Sequence, residues 1–182
     1  MRIISGKFKG RRIIAPKKLP VRPTTDQAKE GLFNILWNQY DFKNLAVLDL
    51  FSGIGSLSLE FASRGTSDIT AVDKFFGCSR FLKETAEELE INIQTITADA
   101  FSFLENTSRT FDVIFADPPY DFKVEDFNKI IELVFQRNLL NKQGMLILEH
   151  SKHTELPSHP AFLEKRKYGG AVFSFYKLRE SV

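Results

Sequence analysis

Asp117-Pro118-Pro119-Tyr120 follows directly on the apolar run Phe111-Asp112-Val113-Ile114-Phe115-Ala116, and these residue types in this order suit methylation of an amino group on a nucleic-acid base. Such a nitrogen is a poor nucleophile because its lone pair is delocalised into the ring. The Asp117 carboxylate and the Pro118 carbonyl, held outward by the stiff Pro118-Pro119 pair, can accept its two N–H bonds and draw it towards a tetrahedral shape. Tyr120, or Phe122 two residues on, can then pack on the base. The same tetrapeptide is also a strand terminator, since proline gives no N–H to a ladder and pushes its predecessor towards extended geometry. On its own it leaves both readings open.

Three further acids stand at comparable positions. Asp49-Leu50-Phe51-Ser52-Gly53-Ile54-Gly55 lies where an apolar strand turns into a helix, and glycines there let the backbone approach a ligand while the helix start offers unpaired N–H groups. Gly53-x-Gly55-x-x-Ser58 lacks the third glycine of the dinucleotide fingerprint. Asp49 would repel a pyrophosphate, but it can face the positive amino acid portion or sulfonium of a different ligand. Asp73, followed by Lys74, is placed to take both hydroxyls of a ribose, and Asp99-Ala100 can offer a carboxylate and a backbone N–H to an adenine edge. Each of these aspartates could also be no more than a helix cap. Three at consecutive strand ends point to the edge where open α/β sheets bind ligands.

The elements that must position these residues alternate in type. Strands are expected at 45–51, 69–74, 91–98, 111–116 and 145–149, and helices at 55–64, 77–89, around 101–104 and from Val124 to Val134, the order of a parallel sheet covered on both faces. Runs 162–168 and 172–178, split by Gly169-Gly170, form a hairpin that adds an antiparallel edge. Thr24 and Gln27 have capping-box spacing ahead of a helix through Ala28, Leu32, Ile35 and Leu36. Upstream, 2–5 and 12–15 are β-prone and joined by a glycine-bearing basic loop, and Pro16, Pro20 and Pro23 mark an extended linker. The expected organisation is a basic hairpin and linker at 1–24 and a Rossmann-like domain at 25–182.

Charge divides along the same line. Residues 1–25 hold eight Lys or Arg and no acid, whereas the rest carries 17 basic and 23 acidic residues. Arg2, Lys7, Lys9, Arg11, Arg12 and Arg22, interleaved with Gly6, Phe8 and Gly10, are candidates for contact with a phosphate backbone. A solvated, partly disordered terminus is the alternative. Glu84, Glu87, Glu88 and Glu90 read as a solvated helix face. No apolar run approaches the roughly 18 residues of a membrane helix, and no secretory h-region is visible. A single cysteine, Cys78, excludes an intrachain disulfide and fits a reducing, cytoplasmic setting.

The collinear series of basic hairpin, Arg22-Pro23-Thr24-Thr25-Asp26, Asp49 to Leu57, Ser63-Arg64-Gly65, Asp117-Pro118-Pro119-Tyr120 and Lys167-Tyr168-Gly169 closely resembles the RsmD family. Those are bacterial methyltransferases acting on a guanine N2 of small-subunit ribosomal RNA. The resemblance spans almost the whole chain. It implies a class I methyltransferase sheet, S-adenosyl-L-methionine as donor, and small-subunit rRNA or an assembling subunit as partner, with no metal and no membrane. Asp117 to Tyr120 would then be catalytic, and Asp49, Phe51, Ser52, Gly53, Gly55, Asp73, Lys74, Asp99 and Ala100 would hold the donor. Ser52 and Ser56 stand where alanine is usual, and Asp73 where glutamate is common.

Three other readings remain. A DNA adenine N6 methyltransferase uses a similar tetrapeptide, although no target recognition domain is evident here. A noncatalytic RNA-binding assembly factor could keep a vestigial pocket. Glu149, His150, His153 and His159 raise a metal site, but they fall in an expected loop with no cysteine partner.

Overall fold

Val47, Leu48 and Leu50 are fully buried although they point to alternate sides, so β1 (Ala46–Leu50) lies covered on both faces, as a central strand of a parallel sheet must. The computed structural model describes residues 1–19 and 24–178. Its sheet holds β1, β2 (Asp68–Asp73), β3 (Gln94–Thr97), β4 (Phe111–Ala116), β5 (Leu140–Ser151), β6 (Phe162–Tyr168) and β7 (Ala171–Lys177) in the order β3-β2-β1-β4-β5-β7-β6. Strands β1 to β5 run parallel. The antiparallel strand is β7, inserted between β5 and the outermost β6.

Side-chain alternation divides the core in two. Val47, Ala71, Phe115 and Ile147 face α1 (Asp26–Trp37), α2 (Ser56–Ser63) and α3 (Phe76–Glu88). Leu48, Val72, Ala116 and Leu148 face α4 (Ala100–Asn106) and α5 (Val124–Gln136). On the first face Phe33, Phe42 and Phe61 make one aromatic cluster, with Phe33 and Phe61 edge to face at 4.7 Å. Strand order reverses between β1 and β4, and this is the switch point where such sheets open a crevice at their carboxyl ends.

Three boundaries differ from expectation for identifiable reasons. Thr25, not Thr24, caps α1, its hydroxyl accepting from the Ala28 N–H at 3.2 Å, so the Thr24/Gln27 capping box does not form. Strand β3 is shorter than 91–98 because the Ile91 N–H turns back to the Ala86 carbonyl. Strand β5 runs from Leu140 to Ser151, past the expected 145–149 at both ends, and takes in His150, which was expected in a loop; a shift of register opposite Phe111 and Val113 absorbs the extra residues at its start.

The amino-terminal arm is a hairpin closed by one antiparallel bridge, Arg2 to Arg12, with the Ile3 N–H on the Arg11 carbonyl and the Ile13 N–H on the Met1 carbonyl. Its pairing stops there because the next amides have other partners. Ile4 and Ser5 donate to the fully buried Glu60 carboxylate at 2.8 and 3.0 Å, and Glu60 is neutralised by Arg64 at 2.9 Å. Lys7 and Phe8 donate to the Ser63 carbonyl and hydroxyl. Glu60, held by Arg64, and Ser63 thus form a clamp that ties the arm to the end of α2. From α1, the buried Lys29 ammonium donates to the Arg2 carbonyl, and burial lowers its pKa. Proline residues 20 and 23 of the expected linker, and Arg22, lie outside the described residues.

Candidate active site

The site grows out of the ends of four neighbouring strands. Asp49 is paired in register with Ala71 and Phe115, and Ala116 with Leu148. Asp73, Asp49, Asp117 and Glu149 consequently project from β2, β1, β4 and β5 towards the same sheet face, the one covered by α1 to α3. All four line one cavity of about 560 Å³. Lys74 is the one Lys or Arg among its described lining residues. A cavity of that charge repels phosphate and attracts a cation.

Asp49 shows how structural and binding roles coincide. The N-cap of α2 is Gly55, in the left-handed region at φ 79°, which has no side chain to satisfy the helix start. Asp49 takes the task from the strand: Ser58 donates to it through its N–H at 3.1 Å and its hydroxyl at 2.6 Å. Burial pushes the Asp49 carboxyl up to about 7 despite those donors, and the nearby Asp73 adds to the rise. A second charged partner, supplied by a ligand, would favour its ionised form. A Cβ at Gly55 would lie 2.2 Å from Leu82 Cδ1, so a side chain there would have to displace Leu82 as well as adopt the left-handed backbone.

Asp73 uses one oxygen to accept from the Gly53 N–H and the other from the Phe75 N–H, both at 2.8 Å. Those bonds fix the plane of the carboxylate and leave lone pairs on both oxygens for a vicinal diol. Asp99 caps α4, accepting from the Ser102 N–H at 3.0 Å, and keeps its second oxygen for another donor. The capping expectation therefore holds for Asp49 and Asp99, and in each it leaves acceptor capacity over. Asp99, Ala100 and Phe101 line a side cavity of about 240 Å³, which shares Phe51, Asp73, Lys74, Pro119 and Phe122 with the larger one. Its roof is aromatic: Phe122 lies parallel to Phe101 at 5.9 Å and edge to face with Phe51 at 5.3 Å. A flat heteroaromatic ring can pack its face on such an aromatic wall. Phe51 itself holds a strained φ of 60° at the strand end.

Asp117 closes the switch point, its N–H reaching the Leu50 carbonyl across from β4 at 3.4 Å. Burial raises its pKa well above the carboxylate range, with Glu149 and then Asp49 adding repulsion. Pro118 is buried, Pro119 is exposed, and Tyr120 presents its ring at 77% exposure over the cavity mouth. Phe122 packs instead against Phe51, Phe101 and Phe127 as part of the roof. Ser52 and Gly53 line the wall between the cavities' acids, and the Ser56 Oγ, also on the wall, is buried without a hydrogen-bond partner among the described residues.

The sequence argument missed the far wall. Glu149, His150 and the turn from Tyr168 to Ala171 line the cavity, and Thr24, released from capping, donates its hydroxyl to Glu149 at 3.2 Å. The Lys167-Tyr168-Gly169 motif was the available signal. His150 is occupied structurally: its Nδ1–H donates to the Ser151 carbonyl and its Nε2 accepts from the Ser174 hydroxyl. His159 Nδ1 accepts from the Ala161 N–H. No cluster of three or more His, Cys, Asp or Glu suited to a metal occurs among the described residues. Cys78 lines the cavity from α3, and burial lifts its thiol to about 11.

The arm's cations do not all remain available. Arg2 pairs with Asp26 at 3.0 Å and Arg11 with Glu88, so Glu88 serves arm docking and not only solvation. Lys7, Lys9 and Arg12 stay exposed, with Lys7 over the Phe8 ring at 5.1 Å.

Comparison with known proteins bears on this geometry directly. A family model described as conserved hypothetical protein 95 matches residues 1–177, arm and sheet together. The chain belongs to the RsmD family. Among the relatives of this RsmD-family chain, YlbH of Bacillus subtilis is 34% identical, covering 98% of the chain and all of the relative. Ribosomal RNA small subunit methyltransferase D of Escherichia coli is 30% identical, covering 94% of the chain and 86% of the relative. The solved structure of yhhF from Escherichia coli superposes with a TM-score of 0.84 at 29% identity, each chain covered to 97%. A Thermus thermophilus 16S rRNA N2 methyltransferase, RsmC, shares the fold at a TM-score of 0.66 and 21% identity, with 88% of this chain and 45% of that one covered. The RsmD-family fold is that of class I methyltransferases.

Proposed function

We propose that this protein transfers a methyl group from S-adenosylmethionine to the exocyclic N2 of a guanine in small-subunit ribosomal RNA. The observation that carries the reading is the row Asp73, Asp49, Asp117 and Glu149 on one sheet face, in a cavity where Lys74 is the one Lys or Arg among the described lining residues. It favours a cationic nucleoside ligand over a phosphorylated one. The donor set fits S-adenosylmethionine residue by residue: Asp73 for the ribose diol, Asp99, Ala100 and the aromatic wall of Phe101 and Phe122 for adenine, and Asp49 for the ammonium end. The unpartnered Ser56 hydroxyl is a donor suited to the carboxylate of that end. Bound there, S-adenosylmethionine supplies an electrophilic methyl, whose bond to sulfur breaks with its electron pair kept on sulfur as the bond to N2 forms.

The chain's own residues do the rest. Asp117 and the Pro118 carbonyl accept the two N–H bonds of the amino group and aim its lone pair, while Tyr120 covers the base. As positive charge develops on N2, Asp117 stabilises it and is the nearest group to take the proton released. Its raised pKa makes it a better acceptor than an exposed aspartate. Lys7, Lys9 and Arg12 supply a phosphate-binding edge on the arm, to which Arg22 is expected to add, making residues 1–24 an RNA-docking module on a methyltransferase body of 25–182. A cytoplasmic setting follows from such a substrate. Among the described residues no helix is long and apolar enough to cross a membrane.

The test offers labelled S-adenosylmethionine to free small-subunit rRNA, to small subunits lacking the modification, and to duplex DNA, and identifies the labelled nucleoside. N2-methylguanosine is the expected product. N6-methyladenosine would overturn the reading in favour of an adenine enzyme, and failure to bind the donor by calorimetry would leave an assembly factor.

A further inference from the structure

In the chemistry above, Glu149 has no task. Yet it stands in the cavity beside the group that holds the amino nitrogen: register pairs Ala116 with Leu148, so Asp117 and Glu149 leave adjacent strands side by side on one face. Its direction is set by Thr24, whose hydroxyl reaches across 125 positions of sequence to hold one carboxylate oxygen at 3.2 Å. Behind it the His150 side chain points to the other face and is tied to Ser174. Glu149 is thus a braced carboxylate next to the catalytic one.

The atom beside a base's amino group differs among the bases. In guanine the amino group lies between two ring nitrogens, N3, which accepts, and N1, which carries a hydrogen and donates. In adenine and cytosine the ring nitrogen beside the amino group has a lone pair and accepts. A carboxylate, which only accepts, bonds to the guanine N1–H and repels those lone pairs. We propose that Glu149, braced by Thr24, reads the N1–H of the target guanine and so excludes adenine and cytosine from the site. This rests on the guanine N2 reading. Repulsion between Glu149 and Asp117 is relieved when a donor edge lies against the pair, so the correct base also removes a cost that a wrong base keeps. Sites that hydrogen-bond a substrate N–H reject analogues lacking it by large factors, since the site's polar group is then left unpaired.

2-Aminopurine separates the two contacts, because it keeps the 2-amino group but presents a lone pair at N1. It is placed in small-subunit rRNA at the guanine identified by the labelling experiment, and the full-length protein is assayed on both RNAs. Wild type should favour guanine by about 100-fold or more in kcat/KM. Glu149→Gln, whose amide can donate to N1, should bring the ratio within about fivefold while S-adenosylmethionine binds within about threefold of wild type. Wild type that methylates both RNAs equally overturns the inference without any variant, as does a Glu149→Gln protein that loses activity on both in parallel. If wild type methylates no guanine N2 at all, the reading of the site itself fails.

Discussion

Gly6 sits so close to Ser63 that a Cβ on Gly6 would lie 1.8 Å from the Ser63 carbonyl oxygen, and Gly6 holds a φ of 82°. No L side chain fits there without moving backbone. Gly6→Ala should therefore undock the arm from α2 while the sheet stays folded. Limited proteolysis should cut within residues 1–15 of the variant, RNA methylation should fall at least about tenfold through KM, and donor affinity should hold. An arm as resistant as wild type would show that the clamp tolerates the change.

Asp117→Ala removes the amino-group acceptor and the proton acceptor together. Turnover should fall by about 10³-fold or more, within the range for loss of a charged transition-state contact combined with a general base. Donor affinity should stay within about threefold, and the melting temperature at pH 8 should not drop, because the variant sheds a carboxyl whose ionisation the fold opposes. Equal losses in donor binding and turnover would remove Asp117 from the catalytic role.

Asp49 ties stability and donor binding to pH with opposite signs. Its folded pKa, about 7, lies above the ordinary 3.8, so the folded state binds this proton more tightly than the unfolded state. Stability from that proton is fully present below about pH 4 and is lost as pH rises through 7, by up to about 4 kcal/mol at 1.36 kcal/mol per unit. Asp49→Asn should flatten the melting profile over that window. S-Adenosylmethionine, bringing positive charge, should bind wild type more tightly as pH rises and release protons on binding. Calorimetry in buffers of different ionisation heat measures that release, and a pH-independent affinity would separate Asp49 from the ligand.

Adjacent threonines should give opposite readouts. Thr25→Ala removes the α1 cap and should cost about 1 kcal/mol of stability with turnover intact. Thr24→Val loses no cap, so urea unfolding should stay within about 0.5 kcal/mol of wild type. Its kcat/KM on RNA should fall several-fold as Glu149 loses its brace. The reverse pattern would return the capping role to Thr24.

Much of the fold was legible because local patterns and the sheet agreed. Strand β4 and β6, the first strand of the carboxyl-terminal hairpin, fall where periodicity places them, and Asp49 and Asp73 each follow buried strand residues. The far wall was not legible. Glu149 closes an expected strand, next to histidines in a polar segment whose composition resembles a loop, and only pairing with β7 carries the strand on to Ser151. The arm shows the same limit: its basic residues announce themselves, but Arg2 and Arg11 are partly spent on Asp26 and Glu88, distant acids that no local window connects.

Sequence by itself determined the chemistry: an aspartate, two prolines and a tyrosine at one strand end, acids at three others, and a basic arm ahead of them. Residue type and spacing along one chain carry that much, because strand termini in a parallel sheet converge on a common edge. Tertiary structure decided which acids share a face, which already serve as caps, and which cations are neutralised within the molecule. Those depend on strand order and register, which bring Thr24 to Glu149 and Glu149 to Asp117, and such long-range pairings are selected by burial of the whole sheet and not by any segment alone.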